Sequence, residues 1–368
     1  MKYIVNICRF IFGAVFMFSG FVKAVDPYGT AYKMEEYLNV FGLSSWLESM
    51  PYIYIIASVA MCCLEFMIGF MIFFHLYRKF SLWLAGLIMV YFTALTLIDA
   101  LTNQVSDCGC FGDAIKLTNW ETFWKNIVLD VLLLIIIIFE RKKRIMLNLW
   151  RGIVTLLVVI VIIGFSLWNT LYEPCIDFRP WAVGNQIILP KNEQKPMESY
   201  ATYKNNVTNK EKEFNMQELM DMYQKDTTFN SNWTFVSSRV INPNVVNADG
   251  FSMSDIQTNE DKAFAFLSQD DTIYLLTCVD LLNVSDKAAQ RVITFAEKKM
   301  EEGKSVALIT ATLPSQWIDF IEKYKAQNIH FYSTDDKAIK TVARSSIAVV
   351  ELKDGKVISK KSWRQIAE

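Results

Sequence analysis

Five long apolar runs in the first half of the chain restrict its fold more than any other feature of the sequence. A helix needs about 20 apolar residues to cross roughly 30 Å of hydrocarbon. The runs that reach or approach this length cover residues 3–25, 52–74, 80–101, 123–139 and 149–168. We therefore predict five transmembrane helices. The first run carries Arg9 and Lys23 and is not followed by a small-residue cleavage site, so we predict a retained helix rather than a removed signal peptide.

The composition supports a membrane part followed by a water-soluble part. Hydrophobic residues make up 52% of the 368 residues, which is high for a soluble protein, and most of the excess precedes Trp168. From Cys175 onward the sequence is mixed and charged. The net charge of -1 and the lack of a basic stripe with interleaved aromatics argue against a nucleic-acid partner. The composition therefore predicts that membrane lipid surrounds the apolar first half of the chain.

Basic residues beside the helix ends predict the orientation in the membrane. Lys2, the Arg78 and Lys79 pair, and the basic run 141–144 all fall on one side if the N-terminus is inside. This places loops 26–51 and 102–122 and everything after Trp168 outside, which in a bacterial cytoplasmic membrane is the periplasm. The apolar spacing within 26–50 predicts either a helix lying on the membrane surface or a lid on the helix ends.

The chain after the membrane part divides into two predicted segments. Residues 173–262 are rich in Asn, Lys and Pro with weak periodicity, and we predict a loop-rich extracytoplasmic region. Residues 263–368 alternate between strand and helix patterns and end in a hairpin that turns at Asp354 and Gly355, which predicts an α/β domain. The predicted order is strand 272–278, helix 286–302, strand 305–310, helix 315–326, strand 329–333, helix 338–343, and hairpin strands 347–352 and 356–359.

Cys108 and Cys110 are the closely spaced cysteines that lie in polar surroundings. Cysteines two residues apart form a disulfide only when the backbone folds tightly, and Gly109 between them permits that turn. Because strained, exposed disulfides exchange easily, the pair suits electron transfer. The alternative is a static bridge, or a glycine-flanked turn whose thiols are incidental. We predict no metal site, because two thiolates leave zinc short of ligands and neither histidine is nearby.

Other cysteines carry weaker predictions. Cys8, Cys62 and Cys63 lie in apolar runs, where small buried side chains are expected. Cys175, just after the fifth run, is the candidate resolving thiol. If Cys108 and Cys110 cycle, their electrons need an acceptor, and the chain has no nucleotide-binding glycine loop or haem-attachment motif. A membrane quinone at the outer end of the helices is therefore the cofactor that we predict.

Ionisable residues inside the membrane segments are functional candidates, because burying a charge in hydrocarbon is costly. Counting residues from the segment ends places Arg9 and Glu65 at depths about 5 Å apart, which predicts a buried pair. Lys23, Asp99 and Asp130 lie toward the outer face and predict a second polar cluster below the cysteine loop. Such a cluster carries protons to the thiols or ties the helices together, and both interpretations stay open.

The membrane part resembles the DoxX/MauE group of small redox-associated membrane proteins. The resemblance covers a helical bundle of four helices, residues 1–145, and leaves residues 146–172 as an added fifth transmembrane helix. It implies a four-helix membrane fold like that of membrane thiol oxidoreductases, and a role in disulfide formation in exported proteins. The residues that carry it are Arg9, the Phe18-Ser19-Gly20 run, Lys23, Glu65, Gly69 and the Cys-Gly-Cys-Phe-Gly-Asp run at 108–113.

The C-terminal part, residues 263–368, resembles a thioredoxin-like domain by its element order and by residues 349–357, which match the final hairpin. It departs from that family in the loop after the first strand, which has Cys278 alone and no Cys-x-x-Cys. Without a thiol pair the domain cannot run a dithiol-disulfide cycle by itself. We therefore predict a degenerate docking module, with Cys278 as a further candidate reactive thiol.

Two functions of different classes follow from these features. The first is a membrane thiol-disulfide oxidoreductase that acts on an extracytoplasmic thiol protein through Cys108 and Cys110. The second is a non-enzymatic membrane scaffold or assembly factor whose thioredoxin-like domain binds a client protein. The cysteine pair favours the first, and the missing Cys-x-x-Cys favours the second. A solute transporter fits poorly, since the segments show no matching broken helices.

Overall fold

The computed structural model describes residues 2–42, 52–105, 109–140, 149–225, 228–248 and 250–367. The chain divides into two compact units, Met1–Arg179 and Pro180–Glu368. The predicted boundary between the four-helix bundle and the fifth helix, at residue 145, lies outside the described residues. The basic run 141–144 lies outside them as well.

The first unit is helical, and the prediction of membrane-length helices is confirmed. Within the described residues, five helices are long and apolar enough to cross a membrane. A shorter helix, α2, follows the first of them. The six helices are α1 (Lys2–Val25), α2 (Pro27–Val40), α3 (Tyr52–Phe73), α4 (Arg78–Thr102), α5 (Asn119–Glu140) and α6 (Leu149–Leu171).

Glycines let α1 and α3 approach backbone to backbone. A Cβ atom on Gly69 would lie 2.5 Å from the backbone nitrogen of Met17, and one on Gly20 would lie 2.8 Å from the carbonyl oxygen of Cys62. Gly13 is equally close, since its Cβ would lie 2.8 Å from Phe73 Cβ. Small residues at such crossings are typical of membrane helices, where close packing replaces the hydrophobic effect as the source of association.

These contacts fix the antiparallel register of the two helices. Gly13 faces Phe73 and Gly20 faces Phe66, so each step forward along α1 matches a step back along α3. By this register, the N-terminal turns of α1 extend beyond the end of α3. The two helix ends therefore do not lie at the same depth.

Helix α2 packs on the bundle, which fits the lid that the sequence offered as one of two alternatives. Asp26 caps α2 by accepting from the Gly29 N–H at 3.0 Å. The Ser58 hydroxyl on α3 donates to the Pro27 carbonyl at 2.6 Å, and the Tyr37 hydroxyl donates to Asp99 on α4 at 2.5 Å. Because α2 bonds to two membrane helices, it covers this end of the bundle.

Residues 198–241 form a three-stranded antiparallel sheet, so the prediction that 173–262 is loop-rich is wrong for this stretch. The spatial order is β2-β1-β3, and a small core that includes Ala201, Phe214 and Phe229 lies against it. The pattern was hard to detect because each of the first two strands buries one residue and the third buries none. The elements are β1 (Glu198–Asn205), β2 (Glu211–Asn215), α7 (Met216–Lys225), α8 (Phe229–Asn232) and β3 (Trp233–Ile241).

The C-terminal α/β prediction is confirmed in its element order. A five-stranded sheet has the order β6-β5-β4-β7-β8, with β4, β5 and β6 parallel and β7 and β8 antiparallel. Asp354 and Gly355 both have positive φ at the hairpin turn, as predicted. The elements are α9 (Ala263–Leu267), β4 (Ile273–Cys278), α10 (Asp286–Glu301), β5 (Ser305–Thr310), α11 (Trp317–Tyr324), β6 (His330–Ser333), α12 (Asp336–Val342), β7 (Ile347–Lys353) and β8 (Lys356–Ser362).

Helices cover both faces of this sheet. Helices α10 and α11 bury one face, through residues such as Val292, Ile293 and Trp317. Helices α9 and α12 bury the other, together with Trp181 and Ile187. All six residues of β4 are buried, which explains why its apolar run was recognisable in the sequence.

Candidate functional site

The cysteine loop turns at two glycines. Gly109 has φ of +63° and Gly112 has φ of +50°, in the left-handed region that glycine adopts easily. The Gly112 N–H donates to the Gly109 carbonyl at 3.0 Å. The predicted role of Gly109 in a tight turn therefore fits the observed backbone. Cys108 lies outside the described residues, so its pairing with Cys110 stays a prediction.

Side chains from three helices hold the loop against the bundle. The Lys33 side chain of α2 lies against Gly109, where a Cβ would be 3.1 Å from its Cγ. The Phe111 ring packs on Phe18 of α1, with centroids 5.5 Å apart, and the Lys125 ammonium of α5 lies 4.5 Å from the centre of the same ring. The loop is therefore fixed from above by the lid and from below by the bundle.

A buried ion pair lies directly beneath Cys110. The Lys23 ammonium donates to Glu65 Oε1 at 2.5 Å. The Ser19 hydroxyl lies 2.7 Å from Glu65 Oε2 and 2.7 Å from the Cys110 carbonyl oxygen, and Lys23 also reaches Ser19 at 3.3 Å. Four groups from α1, α3 and the cysteine loop thus form one hydrogen-bonded cluster.

The cluster is shielded from the surroundings. Lys23 is 7% exposed and Glu65 is fully buried. Buried charges need each other, because removing one partner leaves an uncompensated charge that is strongly destabilising. Lys23 and Cys110 line the same small cavity, so the ammonium lies close to the loop cysteine.

A small cavity adjoins the cluster, between α1, α4, α5 and the loop. Its lining includes Ser19, Lys23, Glu65, Cys110 and Asn126. The space open to the centre of a water molecule is about 20 Å³, and one water needs about 10 to 15 Å³ by that measure. A water fits in this cavity, and a quinone ring does not. The quinone that we predict at the outer end of the helices would therefore bind outside this cavity.

The predicted pair between Arg9 and Glu65 is wrong. Arg9 lies with His75 and Arg78 at the other end of the bundle, and its guanidinium is 4.8 Å from the centre of the Phe10 ring. Counting depths from the segment ends assumed that α1 and α3 are level. The glycine contacts instead offset the two helices, so that Lys23, not Arg9, reaches the depth of Glu65.

The predicted cluster of Lys23, Asp99 and Asp130 is also wrong, because the three side chains have different partners. Lys23 pairs with Glu65, and Asp99 accepts from the lid residue Tyr37 at 2.5 Å. Asp130 accepts from the Thr93 hydroxyl at 2.7 Å and so links α5 to α4. The last two carboxyl groups act here as interhelical ties.

The other two candidate thiols differ in accessibility. Cys175 is exposed, and its N–H donates to Asn169 Oδ1 at 2.9 Å, which fixes the chain just after α6. Cys278 is fully buried at the end of β4. Burial raises the pKa of its thiol, and the nearby Asp280 raises it further. These features argue against Cys278 as a reactive nucleophile.

Sequence reasoning gave no role to Ser19, although it is the residue that joins the ion pair to the loop. Ser19 and Lys23 are four residues apart and therefore lie on one face of α1, which is the signal that was available. Among the described residues, no group of three or more His, Cys, Asp or Glu side chains could hold a metal ion.

Comparison with known families gives a match to the membrane part of the chain. Residues 1–140 match the family model of the methylamine utilisation protein MauE. Neither the curated proteins nor the solved structures include a match to this chain. The matched region contains α1 to α5, the cysteine loop and the Lys23 and Glu65 pair. The first 140 residues are therefore similar to the MauE family, and the apolar helices indicate a multi-pass membrane protein.

Proposed function

We propose that this chain is a membrane thiol-disulfide oxidoreductase, which acts on extracytoplasmic partner proteins through Cys108 and Cys110. One observation carries the proposal: a buried ion pair, Lys23 with Glu65, is hydrogen-bonded through Ser19 to the backbone of Cys110. A charged group this well shielded is expensive to maintain in a bilayer, and here it is linked to the backbone of a loop cysteine.

The reaction that fits is exchange between a disulfide and a dithiol. A partner thiolate attacks one sulfur of the Cys108–Cys110 disulfide and forms a mixed disulfide, and the second partner thiolate displaces it. The partner gains a disulfide and loses two electrons and two protons, and Cys108 and Cys110 become thiols. The reverse exchange with a disulfide of another extracytoplasmic protein restores the pair.

The cluster has a defined part in this exchange. When Cys110 is the leaving sulfur, its thiolate forms beside the cavity that Lys23 also lines, and the ammonium would stabilise it. Glu65 keeps Lys23 in place at 2.5 Å, and Ser19 holds the Cys110 backbone. Lys23 would thus act on the reacting sulfur, while Glu65 and Ser19 are positioning residues.

The proposed location is a bacterial cytoplasmic membrane with the N-terminus inside. The basic residues at 2, 78–79 and 141–144 support it, since such residues collect on the cytoplasmic side. In that orientation the cysteine loop and the unit Pro180–Glu368 both face the periplasm, where disulfides persist.

We propose that the C-terminal α/β region is a thioredoxin-like docking module. Its support is the parallel β4, β5 and β6 beside an antiparallel terminal hairpin, with helices on both faces. The buried Cys278 cannot exchange thiols with a partner in this fold. The module would therefore bind a client and leave the chemistry to the membrane part.

A scaffold is the second candidate function, and the cluster itself gives it support. The Lys23 and Glu65 pair connects two helices and a loop whether or not the thiols react. The family description, methylamine utilisation, would also suit a membrane accessory protein that assists a client without catalysis.

Thiol trapping in intact cells separates the two functions. A membrane-impermeant maleimide would be applied before and after treatment with a reductant, in a Cys175→Ser background that removes the exposed thiol after α6. We expect labelling of Cys108 and Cys110 after reduction only, and labelling of Cys110 without reduction in Cys108→Ala. The parent chain, whose Cys175 should label throughout, is the control for orientation. Loop thiols that never label while Cys175 does, or that label equally before reduction, would favour the scaffold.

A further inference from the structure

A large groove in the C-terminal unit runs along α10. Its volume is about 600 Å³, and its floor includes Tyr274 and Val349 of the sheet, Phe295 of α10, and Ile366, which follows the last strand. Its lining follows α10 from Lys287 near the start to the residue after its end. The 16-residue helix α10 is about 24 Å long, so the groove can take an extended binding partner.

The sides of the groove are mainly basic. Three exposed lysines line it, Lys287 and Lys298 on α10 and Lys361 on β8, and Arg291 is half-buried between the first two. The two acidic residues of the lining are engaged by their neighbours. Glu302 pairs with Lys299 at 2.6 Å, and Glu351 accepts from the Ser359 hydroxyl at 2.8 Å. The groove therefore presents positive charge to an incoming partner.

We propose that this groove is a docking site for an amphipathic helix of a partner protein, whose apolar side enters the groove and whose polar side is acidic. Apolar anchors spaced three and four residues apart would contact the half-buried Phe295 on the floor, as in other helix-in-groove complexes. Glutamate or aspartate beside the anchors would face Lys298 and Lys361. This inference does not depend on the thiol chemistry of the membrane part.

The shape of the site distinguishes a helix from a lipid surface. A membrane is flat on this scale and would contact only the basic rim, whereas the floor is concave and apolar. The basic sides of the groove favour a partner with negative charge, because like charges placed opposite each other lower the affinity. An amphipathic helix with an apolar side and acidic flanks can contact both the apolar floor and the basic sides of the groove.

The test is peptide binding to the full chain in nanodiscs of phosphatidylcholine. The probe is a fluorescein-labelled helical peptide of about 15 residues, with leucines at helical spacing and glutamates elsewhere, to match the length of the groove. Two reference peptides have lysine in place of glutamate, or the same composition in scrambled order. Fluorescence anisotropy should show the acidic helix binding at least about tenfold more tightly than either, with affinity that falls as salt screens the charges.

Charge reversal locates the binding. The double variant Lys298→Glu and Lys361→Glu should weaken the acidic peptide by about tenfold or more and strengthen the lysine peptide. The matched control, Lys337→Glu with Lys356→Glu, alters two exposed lysines that do not line the groove and should change neither affinity. Thr294→Trp, which places an indole in the groove, should abolish binding while the melting temperature stays unchanged.

Three results would overturn the proposal. In the first, the acidic, basic and scrambled peptides bind equally well. In the second, the groove variants leave the peptide affinities unchanged, and in the third, the acidic peptide does not bind the folded chain. Vesicles that contain phosphatidylglycerol supply a separate arm. If the chain in phosphatidylcholine nanodiscs binds them through Lys298 and Lys361 and does not bind the acidic peptide, the groove region is a lipid-binding patch instead.

Discussion

Replacement of Lys23 by methionine is the sharpest probe of the buried cluster. The substitution keeps the length and the apolar stem of the side chain, and it removes the ammonium that lies 2.5 Å from Glu65. Glu65, which is fully buried, would keep Ser19 as its hydrogen-bonding partner in this cluster and would lose its compensating charge. Breaking a buried pair in this way costs about 3 to 5 kcal/mol.

The same reasoning predicts recovery in the double variant. Lys23→Met with Glu65→Leu removes both charges, and replacing a whole buried pair with apolar side chains is often neutral or stabilising by about 1 to 4 kcal/mol. At about 2 to 4 °C per kcal/mol for a unit of this size, the single variant should lower the melting temperature by roughly 6 to 20 °C. The double variant should return it close to that of the parent.

Melting would be followed by tryptophan fluorescence in nanodiscs, and exchange would be measured as the rate at which a dithiol peptide reduces the loop disulfide. The double variant is the informative one, because it should fold well yet exchange slowly without the Lys23 charge. A single variant as stable as the parent, or a double variant no better than the single, would refute the assignment of a buried ion pair. Unchanged exchange in the stable double variant would refute the role of Lys23 in the chemistry.

Three further predictions test other parts of the structure. Gly20→Ala should lower the melting temperature, because its Cβ would lie 2.8 Å from a backbone oxygen of α3. The control Gly86→Ala, whose Cβ would have no atom within 4 Å, should be neutral or slightly stabilising, and equal effects of the two variants would contradict the close helix contact. Cys278 should resist iodoacetamide in the folded chain and react in denaturant, and rapid labelling of the folded chain would contradict its burial. Because burial raises the pKa of this thiol above the ordinary 9.0, its contribution to stability should be complete below that pH and decline above it. The variant Cys278→Ser should remove that decline. Arg179→Lys should lower the melting temperature, because Arg179 is 2% exposed and two of its nitrogens donate to Asp177 at 2.7 and 2.8 Å, which lysine cannot reproduce. A variant that melts like the parent would contradict this role of Arg179.

The sequence predicted the elements whose burial leaves a strong pattern. Hydrocarbon requires continuous apolar runs, so the membrane helices were evident from composition alone. Strand β4 has all six residues buried and was found within one residue of its observed bounds. Strand β3, by contrast, buries none of its residues, so its sequence has no alternation of apolar and polar residues that would mark a core-facing side.

The site was predictable in its residues but not in its pairing. Glu65 and Lys23 were recognisable because charges are rare in membrane helices. Which cation meets Glu65 depends on the offset between α1 and α3, which the backbone contacts at Gly20 and Gly69 determine. That offset is a property of two packed helices and cannot be counted from the ends of either one.

Ser19 has one proton for two acceptors. A hydroxyl carries a single proton, yet Ser19 lies 2.7 Å from both the Glu65 carboxylate and the Cys110 carbonyl. The two oxygens therefore compete for that proton. Rotation of this one hydroxyl exchanges a hydrogen bond to the ion pair for a hydrogen bond to the main chain of the loop, whatever side chain stands at position 110. The attachment of the loop backbone therefore depends on a side chain of α1.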